Sequence, residues 1–359
     1  MAFGTLNILD TIGSRRAAAS DYLNIYDEAE LYQQISQYLM AHNTLLDEIT
    51  SDVVDGTTTD RLVTWGGNAT VDMQDGDEYS RPDVQKIQVS PVTMGLPLRL
   101  KQIAWGVTRL FMQNKTVGDL DQLLTAITDA DIRDVAKTIR RTLFNPTNNT
   151  SYTDRRTDGA AYTLRSLLNA DSATIPPDPY GNVFNAGTHT HYLGTGSFAA
   201  SDLQAGIDTV LEHFLSGEMV VYIAKNLETT VRGFTGFYPY YDARLTLATN
   251  ATVAAGKALD MTNAQNRAIG IFNQAEVYVK PWVPSNYCFF FNRSAPKPLR
   301  KRVRNAQQGN LNIAADLEIY PLRAQFLERE YGMGVVNRTN GACLYTGNAT
   351  YAAPAEWSF

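Results

Sequence analysis

Histidine and cysteine are scarce in this sequence, four and two among 359 residues. The scarcity narrows the chemistry. There is no cysteine pair at zinc spacing, no H-E-x-x-H helix signature and no G-x-S-x-G nucleophile turn, and the stretch Gly194-Thr195-Gly196-Ser197 lacks the Lys-Ser/Thr ending of a phosphate-binding loop. Long apolar runs are missing too, so no segment offers the roughly 20 apolar residues that cross a bilayer. The opening MAFGTLNILDTIGSRR does not carry the basic-then-apolar order of a secretory leader. The third absence is of positive charge: 31 Lys and Arg against 37 Asp and Glu leave a net charge of −6. Generic binding to phosphate backbones needs a cationic surface that releases counterions, and the overall balance gives no footing for it.

What is present is a globular composition, 44% hydrophobic and 19% charged, in a chain long enough for two domains or one elaborate domain. Cys288 (NYCFFF) and Cys343 (GACLY) sit in apolar surroundings far apart in sequence. Buried thiols in a reducing cytoplasm are the reading adopted, a disulfide the alternative.

Residues 1–26 hold too little apolar surface for a core of their own and read as an arm. From Asp27 to Thr50, Leu31, Ile35, Tyr38, Leu39, Leu45, Leu46 and Ile49 keep to one helical face, which His42 shares. Residues 51–105 change character, with Thr, Val and Ile punctuated by Gly66-Gly67, Pro82, Pro91 and Pro97. They predict a long β-hairpin whose tip carries Asp72, Asp75, Asp77, Glu78 and Asp83. A lone two-stranded ribbon is marginal in water and asks for a neighbour. Residues 106–145 contain the most helical stretch, with apolar positions that slip in phase at Thr128-Asp129; this predicts either one bent helix over Val117–Phe144, on the order of 40 Å long, or two abutting helices. A loop-rich segment, 146–200, precedes a helix with a Ser201/Gln204 capping pattern. Short strands follow at 219–224, 275–284 and 286–292, and then Leu317–Tyr331 as one long strand with Pro321 at an edge or bulge.

His189 and His191 alternate, so on a strand both imidazoles would face one way and could hold a metal; no spacing signals a third ligand, and a hydrogen-bonding turn is the competing reading. Lys297, Arg300, Lys301, Arg302 and Arg304 form a basic run open to three readings: a solvated face, a contact for the acidic ribbon tip of another subunit, or a nucleic-acid patch. Interleaved aromatics, which would favour the last, are absent.

The order of arm, helix, ribbon, long helix, compact α/β unit, long strand and final strand resembles the major capsid proteins of tailed bacteriophages, the Hong Kong 97-like fold also used by encapsulins. REYGMGVVNRTNGACLYTG (329–347) is similar to the family's closing long strand, glycine-containing switch with an arginine after it, and short apolar strand; AIGIFNQAEVYVKPWVP (268–284) is similar to the strand pair before it. The resemblance implies an α+β fold with an arm (1–26), a helix leading into the peripheral domain (27–50), an extended loop over an adjacent subunit (51–105) and a spine helix (106–145). An axial domain (146–315, enlarged at 146–200), a long peripheral strand (316–338) and an axial tail (339–359) complete it. Gly332 and Gly334 would then supply backbone angles closed to other residues, letting the strand cross between domains ahead of Arg338, and Asn340-Gly341 would make a tight turn.

Function by this resemblance is shell assembly: pentamers and hexamers closing an icosahedral capsid, located in the virion and assembled in the host bacterial cytoplasm. The shell would enclose double-stranded DNA without sequence-specific binding and without a membrane. A separate scaffolding protein, a portal and a decoration protein are the partners implied. Opposite charges predict that Asp72, Asp75, Asp77, Glu78 and Asp83 meet Lys297, Arg300, Lys301, Arg302 and Arg304 across a subunit boundary. No catalytic, cofactor or metal residue is predicted. The alternatives are an encapsulin-like cargo shell and, more distantly, a metal-dependent hydrolase using His189 and His191.

Overall fold

The computed structural model describes residues 19–26, 28–66, 73–76, 78–79, 81, 83, 91–240, 266–319 and 322–354. Most of the expected arm, and Asp72 and Asp77 of the ribbon tip, lie outside the described residues.

Val117–Leu143 is one unbroken helix of 27 residues. Its start is fixed by a reciprocal box: Asp119 N donates to Thr116 Oγ1 while Thr116 N donates to the Asp119 carboxylate. Arg140 and Arg141 complement the dipole at its other end, and Pro146 bars continuation. The phase slip is not a break. Leu120, Leu124 and Ile127 face one core, with Leu31, Ile35, Leu39 and Leu327. Val135, Ile139 and Leu143 face a second, larger one. The stripe shifts because the helix passes from one core to the other, and buried Thr128 and Asp131 sit at the crossing. Residues 19–26 are not free of the body: Asp21 and Ala19 carbonyls accept from Val117 N and Gly118 N at the helix start, and Leu23 is buried.

The second core lies under a seven-stranded sheet ordered Tyr192–Gly194, Ala342–Tyr345, Tyr287–Asn292, Met219–Ile223, Ala275–Val279, Arg267–Phe272, Phe237–Pro239. Its central strands are buried on both faces, which is why MVVYI and YCFFFN read as continuous apolar runs. Cys288 and Cys343 are free, buried thiols on neighbouring strands. Helix Ala200–Leu211 packs on this sheet; Asp202, not Ser201 with Gln204, caps it, by accepting from Ala199 N.

The other sheet is built on one strand, Leu322–Val335. Arg99–Thr108 pairs along one edge. On the other edge Asn312–Ile319 pairs first, then Leu299–Val303, beyond which Val54–Thr58 adds in parallel. This corrects three boundaries. The expected single strand 317–331 is two strands of a hairpin, with Ile319 opposite Leu322, since proline has no N–H to give a continuing ladder. Leu299–Val303 and the start of Asn312–Ile319 belong to this sheet rather than to the seven-stranded one. The ribbon is shorter than 51–105, because both its flanks are sheet strands and only Leu62–Trp65 with Val92–Gly95 pair as its described stem.

Gly332 and Gly334 are corrected as well. Neither adopts a left-handed φ, and the strand runs straight through both. They are small because Gly95–Pro97 crosses directly over them: a β-carbon at Gly332 would lie 2.1 Å from the Pro97 carbonyl oxygen, and one at Gly334 2.6 Å from Leu96 Cδ2. Gly332→Ala should therefore destabilise the folded chain by about 1–3 kcal/mol, the cost of overpacking a tight contact. Gly196→Ala, whose β-carbon would meet nothing nearer than 3.7 Å, should be near neutral. Urea unfolding of the two variants checks the difference.

Candidate functional site

The centre of the basic run, Lys301 and Arg302, folds into the interior, whereas Lys297 and Arg300 are half-buried and Arg304 is exposed. Arg302 is 4% exposed; its Nη1 donates to Asp154, to the Leu96 carbonyl and to Tyr162 Oη, at 2.8, 2.9 and 2.9 Å. Lys301, equally buried, donates to Asp47. Arg304 and Arg156 grip the two oxygens of buried Glu330. Arg300 pairs with Asp55, and Lys297 Nζ donates to the Arg293 carbonyl. Each of these cations has a partner within its own chain. Their strand has a neighbour on each edge and still has two faces, and both carry arginines and lysines onto carboxylates of the same chain. Of the tip acids that are described, Asp75 lies in an exposed stretch, Glu78 is exposed at a turn, and the Asp83 backbone bonds Gln74.

Arg302 is one of three buried arginine clamps around the long strand. Arg329, 1% exposed, donates to Asp131, which also bonds His42 at 2.9 Å. Arg338, fully buried, donates to the Ser166 and Leu167 carbonyls and with Nη2 to Asp171 at 2.8 Å. Asp171 is presented between Ala170 and Ser172, both left-handed in φ. Just beyond Arg338, Asn340 is no tight-turn residue. Its buried side chain accepts from Asn292 N and donates to the Asn292 and Pro296 carbonyls. Gly341 has no left-handed φ either; it lies close against Leu167.

Burial alone would raise the Asp131, Asp154 and Asp171 carboxyls, but bonds from His42 and Arg329, from Arg302, and from Arg338 hold each below the usual 3.8. The clamps tie segments distant in sequence to one strand: the ribbon stem at Leu96, the hairpin Asn149–Thr153/Ala161–Leu164, and the loop at Ser166–Asp171. The 146–200 segment is accordingly more than an enlargement of one domain, since Tyr152 and Tyr162 hydroxyls bond Leu98 and Leu96 carbonyls at the base of the ribbon.

His189 and His191 do come together, and with residues the spacing did not signal. His213, from the end of helix Ala200–Leu211, brings its Nε2 to 3.1 Å from that of His189 and 3.0 Å from that of His191, with Glu212 alongside. Burial holds His189 and, far more strongly, His191 below the usual 6.5, and brings His213 down to about 3. His191 is fully buried, and Phe184 lies tilted against the other two rings, with centroids 4.9 and 4.3 Å away.

No protein-family model and no curated protein matches the chain. Solved structures do. A chain from Mycobacterium phage Patience superposes with a TM-score of 0.65 over 91% of this chain and 91% of its own, at 21% identity. The capsid of Ralstonia phage GP4 superposes with a TM-score of 0.51 over 84% and 87%, at 10% identity. The fold is the Hong Kong 97-like capsid fold.

Arg338→Met takes from half-buried Asp171 its nearest counter-charge and leaves Arg165, 3.2 Å from the same oxygen, with Asn148. The loss of a charged hydrogen bond should cost about 1.5–3 kcal/mol near neutral pH. The pH dependence has a definite sign. Asp171 is depressed in the folded parent, so its contribution is complete above the unfolded carboxylate range and is lost as pH falls below about 4. In the variant that carboxyl is held ionised less strongly, by Arg165 and Asn148 alone, so the stability gap between parent and Arg338→Met should narrow as pH falls from 5 towards 3. Denaturation curves across that range measure it.

Proposed function

We propose that the chain is the major capsid protein of a tailed, double-stranded DNA bacteriophage, a structural and non-catalytic subunit that assembles into an icosahedral shell around the packaged genome. The observation that carries this reading is the superposition over 91% of both chains on a protein of Mycobacterium phage Patience. Exposed apolar side chains support it. Met73 and Tyr79, at the ribbon end, are 100% and 93% exposed, and Tyr22, Ile25 and Leu110 are exposed near the start of the long helix. Side chains of this kind at extremities gain burial from a partner, and the occupant proposed is another copy of the same chain.

On this reading residues 1–26 form the arm, the ribbon reaches over an adjacent subunit, and the seven-stranded unit lies nearest the five-fold and quasi-six-fold axes. Contacts are heterologous and close into pentamers and hexamers. Each is of ordinary size, about 1,600 Å², and multivalency locks the whole. A scaffolding protein, a portal and a decoration protein are the proposed partners, with assembly in the host cytoplasm. A pairing of ribbon acids with residues 297–304 across the boundary would draw on half-buried Lys297 and Arg300 and exposed Arg304, since Lys301 and Arg302 are buried.

Negative-stain microscopy and light scattering of the purified chain should show closed megadalton particles, and nuclease-protected DNA inside virus-derived ones would separate a genome shell from an encapsulin-like cargo shell. Met73→Asp combined with Tyr79→Asp should abolish particles and leave the melting temperature of the subunit unchanged. A parent chain that stays monomeric at high concentration, or a double variant that assembles normally, contradicts the proposal.

A further inference from the structure

Three of the four histidines in the chain converge on one point. The Nε2 atoms of His189, His191 and His213 form a triangle with edges of 3.0, 3.1 and 3.1 Å. Glu212 Oε1 stands 3.5 Å from one corner and 3.9 Å from another. Four ligands around a tetrahedral ion, with metal–nitrogen bonds of about 2.0–2.1 Å, place the nitrogens about 3.3 Å apart. The observed triangle is that arrangement, slightly contracted.

Proton bookkeeping points the same way. His191 Nδ1 lies 2.7 Å from the Gly341 carbonyl, which can only accept, so that nitrogen carries the hydrogen and the neutral ring turns a lone pair inward at Nε2. If His189 and His213 both carry Nε2 hydrogens, their two N–H groups oppose each other at 3.1 Å. If either lacks one, its lone pair opposes that of His191 or leaves another edge unbonded. No distribution of hydrogens makes all three edges of the triangle hydrogen bonds. A cation at the centre satisfies every nitrogen at once.

The surroundings are those of a built site. The His191 backbone is fixed on both sides, its N–H on the Leu168 carbonyl and its carbonyl accepting from Cys343 N. The Gly341 carbonyl acts as the outer partner that orients a ligating imidazole. Phe184 covers His189 and His213 with ring centroids 4.9 and 4.3 Å away. We propose that His189, His191, His213 and Glu212 bind one divalent first-row transition ion, zinc by preference, as a closed structural site. Three imidazoles and one carboxylate suit zinc and disfavour calcium or magnesium, which take oxygen ligands. The ion staples the 185–191 loop to the end of helix Ala200–Leu211 and, through Gly341, to the start of the last strand. It does not depend on what the shell encloses.

The test uses the purified full-length chain. Elemental analysis should find about one zinc per chain, and the chelator-stripped protein should take up one equivalent of cobalt(II) with the intense visible absorption of a four-coordinate site. His213→Gln and, on the more exposed side of the cluster, Glu212→Gln should each weaken cobalt binding by about tenfold or more. Chelation should lower the melting temperature of the parent and leave that of His213→Gln unmoved. Glu212→Gln keeps the test decisive if His213→Gln does not fold. A parent that binds neither metal stoichiometrically, or Glu212→Gln and His213→Gln proteins that bind cobalt as tightly as the parent, overturns the site.

Discussion

Everything in this subunit is arranged around the crossing of two backbones, Gly95–Pro97 over Gly332–Gly334. The long strand can carry neighbours on both edges and still be overlaid by the root of the ribbon only because two side chains are missing at the crossing. Arg302, on the adjacent strand, then fastens the overlying segment by donating to the Leu96 carbonyl and to Asp154 together. Two contacts of different kinds, one steric and one ionic, thus fix where the ribbon leaves the body. The two-stranded stem Leu62–Trp65/Val92–Gly95 gains from a root of this kind, because a free ribbon contributes little stability of its own.

The long helix performs the second joining. It belongs to both cores, and the residues at which its apolar stripe changes face are polar and satisfied: Thr128 bonds Tyr38, and Asp131 bonds His42 and Arg329. A buried ionic group at the seam between two cores adds little net stability over an apolar substitute. What it does is make any other register costly, since sliding the helix by one turn would leave Asp131 without its partners. The same logic applies to Asp154 and Asp171. Each clamp joins an arginine on or beside the long strand to a carboxylate more than a hundred residues away, so together they specify the fold rather than merely strengthen it.

Local patterns were legible in the sequence and distant pairings were not. The helix over 117–143 and the apolar strands at 219–223, 275–279 and 287–292 follow from periodicity and from runs long enough to be buried on both faces. The layout and the closing motif led to the right fold by resemblance. What stayed hidden depended on sequence separation. Nothing in 297–304 reveals that Asp47, Asp154 and Glu330 pair with it. The glycines were assigned to backbone freedom because the segment lying over them is encoded more than two hundred residues earlier. His213 and Glu212 had no signal in spacing, as they stand 22 and 21 residues from His191 on the far side of a helix. Even there a clue existed: in a chain with four histidines, three fall within 189–213.

The internal use of positive charge bears on how copies of the subunit would meet. The cations of 300–304 are paired with carboxylates of the same chain, and a net charge of −6 would make copies repel at distances up to about a Debye length of 8–10 Å. On the assembly reading proposed above, association would then draw on short-range apolar burial where Met73 and Tyr79 stand exposed. Repulsion at range with attraction only on close fit penalises misaligned encounters more than aligned ones, because a misfit keeps the charge cost without the burial. Contacts that are individually weak can come apart and re-form before a ring closes, and the closed ring, in which every copy is held from several sides, no longer can.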